Sequence, residues 1–511
     1  MELLVIGLDG LSYNMLDRFG IEPEFIDRVT DDGVSGDLMS VDTPTTLPAW
    51  TSFQTGKDPG SHGLTNMITQ APDYETGPFE TNTTDAALYD FVDDAVVINL
   101  PASVGRRPAA ENTHLVSAML AKDKADATPD HLQDLASYEA YILDHDKSKK
   151  KRPSVYFNHV CEITERRRDF AREAFETYDP RFGFVLFSTP DWAGHLLSNF
   201  SDDEERAGYY EQLISVVDSC AADLAELADN VVLMSDHGFE KKTHNVHLND
   251  WLADAGYLEV ESEAVRPQHV AVAAAKAVGK RSDWIYEQIR RVYNYIIGTD
   301  VGQSLQAAAE SEVDYPASQA WELRYGCVFI NDERFDHPSV EDPAALRAEL
   351  KTAIASITDS EGNPAFRDVL LAEEAYKDPG EWAPDLIARP APGRYPTMLD
   401  SPTGEPVSPT NNYNHRYRGL IAAEGPAFED NETVEGMSIV DVLPTVLHVL
   451  GQSQSPEFDG RVREDLLTID REVTTLNHDA VPRPRVRSDD TDQDDRDDVV
   501  ESRLEDLGYI E

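Results

Sequence analysis

Thr46, within residues 43–52, lies at the predicted start of a helix. Pro48, two residues later, fits the first turn of that helix, where a backbone N–H has no helical partner anyway. A threonine hydroxyl at this position lies beside N–H groups whose dipoles favour both an alkoxide and a phosphoryl oxygen. Because a bare threonine hydroxyl is a weak nucleophile, it needs a base or a metal ion to activate it. Thr46 is therefore a candidate nucleophile if metal ligands exist elsewhere in the chain, and otherwise a helix cap.

Carboxylate and imidazole side chains follow three apolar runs of the chain: Asp9 after residues 3–8, Asp191 and His195 after 184–187, and Asp236 and His237 after 231–234. In an open α/β sheet, ligands bind beyond the carboxyl ends of the strands. Asp191 and His195 are four residues apart on one predicted helical face, so they can hold one ion together. Asp9 taken alone could equally cap a helix. The pattern predicts that these side chains meet at one edge of a sheet.

His415 stands in a loop before another predicted strand, residues 420–423, and could complete a three-residue set with the helical pair described above. His244 and His247 are either further ligands or part of a polar loop beside the site. A mixed set of Asp and His side chains suits zinc or manganese. The occurrence of all these candidates together favours a metal centre over a collection of unrelated caps and surface histidines.

The apolar runs end in polar or glycine-marked turns and are followed by helical periodicity, which predicts buried parallel strands joined by crossover helices. The fold class is therefore α/β, with a mostly parallel central sheet. Residues 327–330 and 420–423 are predicted strands, and residues 439–450 a predicted helix. We expect these elements to form the second half of the same sheet.

The pattern divides the chain into four regions: a first part of the catalytic domain, 1–254; a helical cap insertion, 255–320; a second part of the catalytic domain, 321–470; and an acidic linker with a short C-terminal helix, 471–511. The insertion is locally richer in Lys and Arg. It either covers substrate, meets a partner or is an ordinary amphipathic packing element. The last region loses apolar periodicity and is rich in Pro, Arg and Asp, as is typical of a mobile linker.

The 511 residues include 96 Asp and Glu against 44 Lys and Arg, a formal net charge of −52 that is spread along the chain. Such an excess is typical of a protein from a salt-rich, halophilic cytoplasm, where 1 M salt screens charges over roughly 3 Å. It disfavours binding to bulk nucleic acid or to anionic membranes. No apolar stretch approaches the roughly 18 residues of a transmembrane helix. Since the N-terminus also lacks a basic leader, a cytoplasmic location is predicted.

The three cysteines are far apart in the sequence and form no CxxC pair: Cys161, Cys220 and Cys327. Neither a disulfide framework nor a thiolate metal site is indicated. We expect the cysteines to be buried as small apolar side chains.

At these positions the chain resembles the alkaline phosphatase superfamily, specifically its type I phosphodiesterase and nucleotide pyrophosphatase branch, over about residues 1–465. The motifs occur in the family's order: Asp9, Thr46-Leu47-Pro48, Thr55-Gly56, His62-Gly63, Asp191 with His195, Asp236-His237 and His415. The resemblance implies an alkaline-phosphatase-like three-layer α/β/α sandwich with a helical cap insertion.

The resemblance also implies two divalent metal ions, usually zinc, with manganese possible. One ion would be held by Asp191, His195 and His415, and the other by Asp9, Asp236, His237 and the Thr46 oxygen. Thr46 would attack phosphorus and form a phosphothreonine intermediate, which water then hydrolyses. The implied activity is the cleavage of phosphodiester or pyrophosphate bonds in a small phosphorylated substrate, such as a nucleotide.

The chain departs from the family's pattern at two positions. The family commonly has Asn after the Pro, where this chain has Ala49. A phosphate-binding Asn follows the family's His-Gly element at a spacing that Asn66 misses by about one residue. Asn66 is the substrate-binding candidate, and its contact with the substrate is the part of the resemblance that these departures put in doubt.

Other functions are compatible with parts of this pattern. A phosphomonoesterase or phosphate-transfer enzyme of the same superfamily would use the same metal ligands. A sulfatase is disfavoured because no cysteine lies near Thr46 to be converted to formylglycine. A metal-binding protein without catalysis is disfavoured because the ligand set and the threonine are both complete. The sequence leaves the physiological substrate and the oligomeric state open.

Overall fold

The computed structural model describes residues 1–78, 85–118, 127–200, 202–260, 313–397, 405–483 and 485–486. The chain divides into two compact units. As far as their residues are described, the first comprises Met1–Leu64, Glu80–Glu240 and His415–Arg503, and the second comprises Thr65–Phe79 and Lys241–Asn414. The chain passes between the units within the strands Gly238–Lys241 and Tyr413–Arg416.

The first unit contains a nine-stranded sheet. Its strands lie in the order Glu432–Ser438, Val34–Met39, Arg418–Glu424, Asn230–Met234, Leu3–Leu8, Phe182–Phe187, Ala95–Leu100, His114–Ser117 and Ala127–Thr128. In this sheet, Arg418–Glu424 and Ala127–Thr128 are the strands that pair antiparallel with their neighbours. The predicted α/β class with a mostly parallel central sheet is confirmed.

The register of the central strands brings the predicted ligands to one edge. Leu3–Leu8 pairs in parallel with Phe182–Phe187 on one side and with Asn230–Met234 on the other. Leu8 lies opposite Phe187, and Gly7 lies opposite Met234. Because parallel strands in register end at the same level, the residues that follow them emerge together.

Both faces of the sheet are covered. Leu3 and Val5 pack in one hydrophobic cluster with Trp50 and Phe53. Leu4 points to the opposite face, where a Cβ built on the neighbouring Gly183 would lie 3.0 Å from Leu4 and 3.2 Å from Phe175 of the helix Pro153–Tyr178. Strands buried on both faces lose the alternation of apolar and polar residues, which explains the continuous apolar run of Leu3–Leu8. The α/β/α layering therefore follows from the strand sequences.

The α-helices of the first unit are Tyr13–Phe19, Glu24–Asp32, Thr46–Thr55, Pro59–His62, Leu88–Phe91, Pro153–Tyr178, Thr189–Leu196, Asp203–Ala225 and Val442–Val449. A 3₁₀ turn, Ile439–Asp441, precedes the last of these helices, so the helix predicted over 439–450 is confirmed. Pro48 lies in the first turn of Thr46–Thr55, as its position predicts.

The second unit has its own sheets. A four-stranded antiparallel sheet has the order Ala320–Glu322, Cys327–Ile330, Leu386–Pro390 and Phe366–Leu371, and a three-stranded sheet has the order Arg394–Pro396, His244–Val246 and Val407–Pro409. Ile68–Gln70 and Thr76–Pro78 form a hairpin. Its α-helices are Leu248–Asp254, Pro343–Ala355 and Ala372–Ala375.

The strand Cys327–Ile330 was predicted to continue the main sheet, and this prediction is wrong. It pairs with Ala320–Glu322 through a tight turn and is packed in a separate core that includes Trp321 and Leu350. A short buried strand has the same apolar composition in either sheet, so its sequence does not specify its partner. The strand predicted over 420–423 does join the main sheet.

The predicted cap insertion, 255–320, falls mostly outside the described residues, which resume at Val313. The predicted C-terminal helix lies entirely outside them. These boundaries stay predictions. The three cysteines are buried and free, as expected. Among the helices of the described ranges, none combines the length and apolar character needed to cross a bilayer.

Candidate metal centre

Asp9 and Asp236 face each other at the carboxyl end of the central strands. The backbone turns sharply after Asp9 at Gly10, whose φ is +70°. A side chain at Gly10 would bring its Cβ within 3.2 Å of the Asp191 backbone, so glycine lets the end of the first strand approach that residue closely. The Gly10 N–H donates to Asp236 Oδ1 at 3.2 Å. This turn therefore orients one oxygen of Asp236 and leaves the other to face the site.

Asp9, Asp236 and His237 form a fully buried ligand group. The Nε2 atom of His237 lies 3.3 Å from Asp236 Oδ2 and 3.7 Å from Asp9 Oδ1. Burial, reinforced by the neighbouring carboxylates, raises the pKa of both Asp9 and Asp236 well above the ordinary value. Burial, with His415 nearby, lowers the pKa of His237 to about 3, so its imidazole is neutral. A neutral imidazole beside two buried acids is a donor set that a divalent cation would stabilise.

Asp191, His195 and His415 form the second ligand group. Asp191 and His195 lie one turn apart on the helix Thr189–Leu196, as predicted. The His415 Nε2 atom is 3.1 Å from His195 Nε2 and 3.2 Å from Asp191 Oδ1, and the last two atoms are 3.5 Å apart. Tetrahedral ligands about 2.0–2.1 Å from zinc lie roughly 3.3 Å from one another, so this triangle has the size that such an ion requires.

The two groups are neighbours in the first unit. The rings of His237 and His415 stack with centroids 3.9 Å apart and planes inclined by 26°. Since His237 belongs to one group and His415 to the other, the stacked pair joins them. The structure thus brings together six of the sequence-predicted ligands: Asp9, Asp191, His195, Asp236, His237 and His415.

The orphaned polar atoms of these groups provide a test of whether they fit metal ions. Asp9 Oδ1, Asp191 Oδ1, Asp236 Oδ2 and His237 Nε2 are all buried without a hydrogen-bond partner in the described part of the chain. A buried polar atom without a partner costs roughly 1–3 kcal/mol, and four such atoms in one place call for a common partner. Three of these atoms belong to the group of Asp9, Asp236 and His237, and the fourth belongs to the group of Asp191, so the donor set fits one cation in each group.

Thr46 is the first residue of the helix Thr46–Thr55, and its side chain is buried. The residues around it contact both ligand groups. The imidazole Nδ1 of His415 lies 3.0 Å from the carbonyl oxygen of Pro44. One helical turn after Thr46, the indole N–H of Trp50 donates to Asp9 Oδ2 at 3.4 Å. Thr46 therefore lies at a helix N-terminus, between Pro44, which contacts one ligand group, and Trp50, which contacts the other.

His62 of the His-Gly element has a structural position that sequence reasoning did not assign. Its Nδ1 accepts the N–H of Leu64 at 3.1 Å, so Nε2 carries the ring proton and donates to Ser52 Oγ at 2.8 Å. Ser52 lies on the Thr46 helix. His62 thus anchors that helix rather than binding metal. The sequence spacing of Ser52 and His62 does not predict this hydrogen bond, because the hydrogen bond depends on how the chain turns between the two helices.

Asn66 and the two later histidines lie in the second unit. The Asn66 amide donates to the Leu323 carbonyl at 2.6 Å, and its oxygen accepts the N–H of Met67 at 2.7 Å. The phosphate-binding role of Asn66 stays a prediction. His247 Nε2 is hydrogen-bonded to Ser408 Oγ at 2.7 Å. Neither His244 nor His247 belongs to the two ligand groups found in the described residues. The alternative of a polar loop is wrong for His244, which begins the strand His244–Val246, while His247 lies between that strand and the helix Leu248–Asp254.

The fold and the site define an α/β protein with a mostly parallel sheet and two adjoining groups of candidate metal ligands at its carboxyl edge. The family model for type I phosphodiesterase / nucleotide pyrophosphatase matches residues 3–418. The chain belongs to this family and is a phosphoric ester hydrolase. The family is metal-dependent, typically with two divalent ions. Among curated proteins, no match to this chain was found.

Solved structures with the same fold have little sequence in common with the chain. Murine and human ectonucleotide pyrophosphatase / phosphodiesterase 5 each align with a TM-score of 0.50 and 15% identity, covering 92% of this chain and 100% of theirs. Phosphonoacetate hydrolase from Sinorhizobium meliloti 1021, in complex with phosphonoformate, aligns with a TM-score of 0.51 and 14% identity, covering 88% of this chain and 95% of its own. At these identities the likeness shows the fold alone.

Proposed function

We propose that the protein cleaves phosphodiester or pyrophosphate bonds through a phosphothreonine intermediate at Thr46, with two divalent ions held by the two ligand groups. The observation that carries this proposal is a set of four buried ligand atoms without a hydrogen-bond partner in the described part of the chain, in two groups that are contacted by Pro44 and Trp50, which precede and follow Thr46. Asp191, His195 and His415 would hold one ion. Asp9, Asp236, His237 and the Thr46 oxygen would hold the other.

The donor chemistry supports zinc, with manganese as the second candidate. Imidazole nitrogen with carboxylate oxygen, at the triangle spacing of Asp191, His195 and His415, suits tetrahedral zinc. The other group has two carboxylates and is harder, which is compatible with either ion. We therefore propose two divalent ions per chain, with zinc as their identity.

When bound, such ions would lower the pKa of the threonine hydroxyl and stabilise charge on the attacking and leaving oxygens. The chain itself supplies the orientation. Thr46 lies at N1 of a helix whose N–H dipoles favour negative charge at its oxygen. Trp50 orients Asp9, and the Pro44 carbonyl orients His415, so both ligand groups are positioned relative to the hydroxyl.

The substrate class follows from the family rather than from a described pocket. Small phosphodiesters and nucleotides suit a type I phosphodiesterase / nucleotide pyrophosphatase. One solved structure of the murine relative is an inactive variant in complex with AMP. We therefore propose a nucleotide or another small phosphodiester as substrate, in a cytoplasmic, halophilic setting.

The test compares Thr46→Ala and Thr46→Ser with the wild-type protein on bis-p-nitrophenyl phosphate, with zinc or manganese added. We expect Thr46→Ala to lose hydrolysis while keeping both metal ions, and Thr46→Ser to retain part of it. Rapid quenching followed by mass spectrometry of the peptide with residue 46 should detect phosphothreonine in the wild-type protein. Full activity of Thr46→Ala, or insensitivity of the wild-type protein to a strong chelator, would refute the mechanism.

A further inference from the structure

Two imidazoles meet at the amino edge of the main sheet, opposite the edge that carries the metal centre. His114 is the first residue of the strand His114–Ser117, and His131 lies in the 3₁₀ turn Asp130–Asp134. Their Nε2 atoms are 3.3 Å apart. The strand runs parallel to the central strands, so its first residue lies at their amino ends. The pair is therefore separate from the two ligand groups, which lie at the carboxyl ends.

The same arrangement of two imidazoles occurs within the metal centre. There, the Nε2 atoms of His195 and His415 are 3.1 Å apart. Two tetrahedral ligands of one zinc ion lie roughly 3.3 Å from each other, which is the separation in the pair of His114 and His131. A hydrogen bond usually has a donor–acceptor distance of about 2.7–3.2 Å, so this pair lies at its long end. The distance therefore fits two ligands of one ion at least as well as it fits a hydrogen bond.

The surroundings of His114 fix its ring and keep it neutral. The residue is 8% exposed, and its ring stacks on Tyr178, the last residue of the helix Pro153–Tyr178, with centroids 3.9 Å apart and planes inclined by 24°. Burial, together with the neighbouring His131, lowers the pKa of His114, so its imidazole is neutral near pH 7. His131 is exposed, so a cation can reach the pair from solvent. One imidazole is thus held in place and the other is accessible, as an ion that binds from solution requires.

The local charge favours a cation at this position. Asp130 and Asp134 belong to the same 3₁₀ turn as His131, and both carboxylates are exposed. Asp134 is also among the groups that raise the pKa of Tyr178, after burial, so its charge acts at the ring on which His114 stacks. Negative charge around two neutral imidazoles attracts a divalent ion. Imidazole nitrogen is a ligand that zinc, nickel and copper prefer, and the tetrahedral spacing selects zinc among them.

We propose that His114 and His131 bind one further divalent ion of the zinc class, with water molecules completing a tetrahedral shell. The ion would link the first residue of a sheet strand to the turn that follows the edge strand Ala127–Thr128. That edge strand has only two residues, so few hydrogen bonds hold the turn on the sheet. An ion bound across residues 114 and 131 would stabilise this edge of the folded chain. The site shares no ligand with the metal centre, so it does not depend on the proposed function.

The test is an equilibrium titration with zinc, starting from protein that has kept only its tightly bound ions after gel filtration. A site with half the ligands of a structural zinc site should have a Kd of roughly 1–200 μM, so its ion exchanges during gel filtration. We expect the wild-type protein to bind one more zinc ion per chain in this range than His131→Gln, whose affinity should be lower by roughly 50-fold or more. Glutamine can keep a hydrogen bond to His114 but is a poor zinc ligand. Equal zinc binding by the two proteins would overturn the proposal.

Another exposed histidine provides the matched control. His478 lies in the 3₁₀ turn His478–Ala480, next to Asp479, and His478→Gln should bind as many zinc ions as the wild-type protein. A loss in His478→Gln equal to that in His131→Gln would indicate general binding to the acidic surface and contradict a specific site. His131→Gln should hydrolyse bis-p-nitrophenyl phosphate at the wild-type rate, since His131 lies at the opposite edge of the sheet. If neither protein hydrolyses the diester, the proposed function fails, and the difference in zinc binding still decides this site.

Thermal unfolding tests the link between the turn and the sheet. In a chelator, the wild-type protein and His131→Gln should unfold at similar temperatures, because His131 is exposed, and this agreement shows that the variant is folded. Added zinc should raise the unfolding temperature of the wild-type protein further than that of His131→Gln, because one more ion binds the folded chain. An equal rise in both proteins would contradict the stabilising role of the ion.

Discussion

The Nδ1 atom of His415 lies 3.0 Å from the carbonyl oxygen of Pro44, two residues before Thr46. A carbonyl can only accept a hydrogen bond, so the ring proton is on Nδ1 and the Nε2 lone pair faces Asp191 and His195. A hydrogen bond of this kind is the usual support of a metal-binding histidine. The same contact fixes the approach to the nucleophile helix, so one imidazole orients both a ligand group and the segment before Thr46.

His415→Ala should remove one metal ion per chain and most of the activity. The expected loss exceeds the roughly 10- to 100-fold effect of deleting a hydrogen bond to a metal ligand, because a ligand itself is lost. Elemental analysis after gel filtration measures the metal content. His244→Ala is the matched control, since His244 lies outside both ligand groups, and it should keep two ions. Two retained ions in His415→Ala would contradict the assignment.

The metal-free protein should become less stable as the pH rises from about 7 to about 9. Asp9 and Asp236 have raised pKa values in the folded chain, so they release protons more readily when the chain unfolds, and stability falls as pH increases through this window. His237, whose pKa is lowered in the folded chain, is neutral in both the folded and the unfolded chain above about pH 7. It therefore does not change the pH dependence of stability in this range. Thermal unfolding in a chelator measures the effect.

Asp236→Asn should reduce the loss of stability per pH unit, because it removes one of the two carboxyl groups whose pKa is raised in the folded chain. Added zinc should reverse the slope, since the ions compete with protons for the same carboxylates and bind more tightly at higher pH. A metal-free protein whose unfolding temperature is constant or increases over this range would show that the two acids are not protonated in the folded chain.

His62→Ala should destabilise the protein by about 2–4 kcal/mol, because both the Leu64 N–H and the Ser52 hydroxyl lose their partner in a buried place. Ser52→Ala removes one of the two contacts and should cost about 1 kcal/mol. His62→Gln can still donate to Ser52 and should fall between these variants. Urea unfolding at constant salt gives the values. Metal content should be unchanged in all three, and a loss of metal would contradict the anchoring role.

Lowering the salt concentration should destabilise the protein. With a net charge of −52, self-repulsion grows as the screening length increases from roughly 3 Å at 1 M to about 10 Å at 0.1 M. The unfolding temperature should therefore rise steadily with potassium chloride over this range. Sodium sulfate at matched ionic strength serves as a control for effects on hydrophobic burial. A midpoint that is independent of salt would contradict the halophilic interpretation.

The sequence by itself determined the fold class and the ligand types. Asp9, Asp191 and Asp236 each follow a continuous apolar strand, and parallel strands end at a common edge, so their convergence was predictable from local pattern. His195 was predicted to lie beside Asp191 because residues four apart lie on the same face of a helix. His415 was already a candidate to complete the set of Asp191 and His195, and the resemblance to the family added the assignment of all the ligands to two ions.

Tertiary structure alone decided the contacts that join residues across long stretches of chain. The Pro44 to His415 hydrogen bond spans 371 positions, and the stacking of His237 on His415 has no periodic signal. Cys327–Ile330 has the composition of a main-sheet strand and pairs elsewhere, because strand pairing depends on the connection and not on the apolar run. Local pattern specifies which elements form and which face is buried, whereas packing of the whole chain specifies which side chains meet.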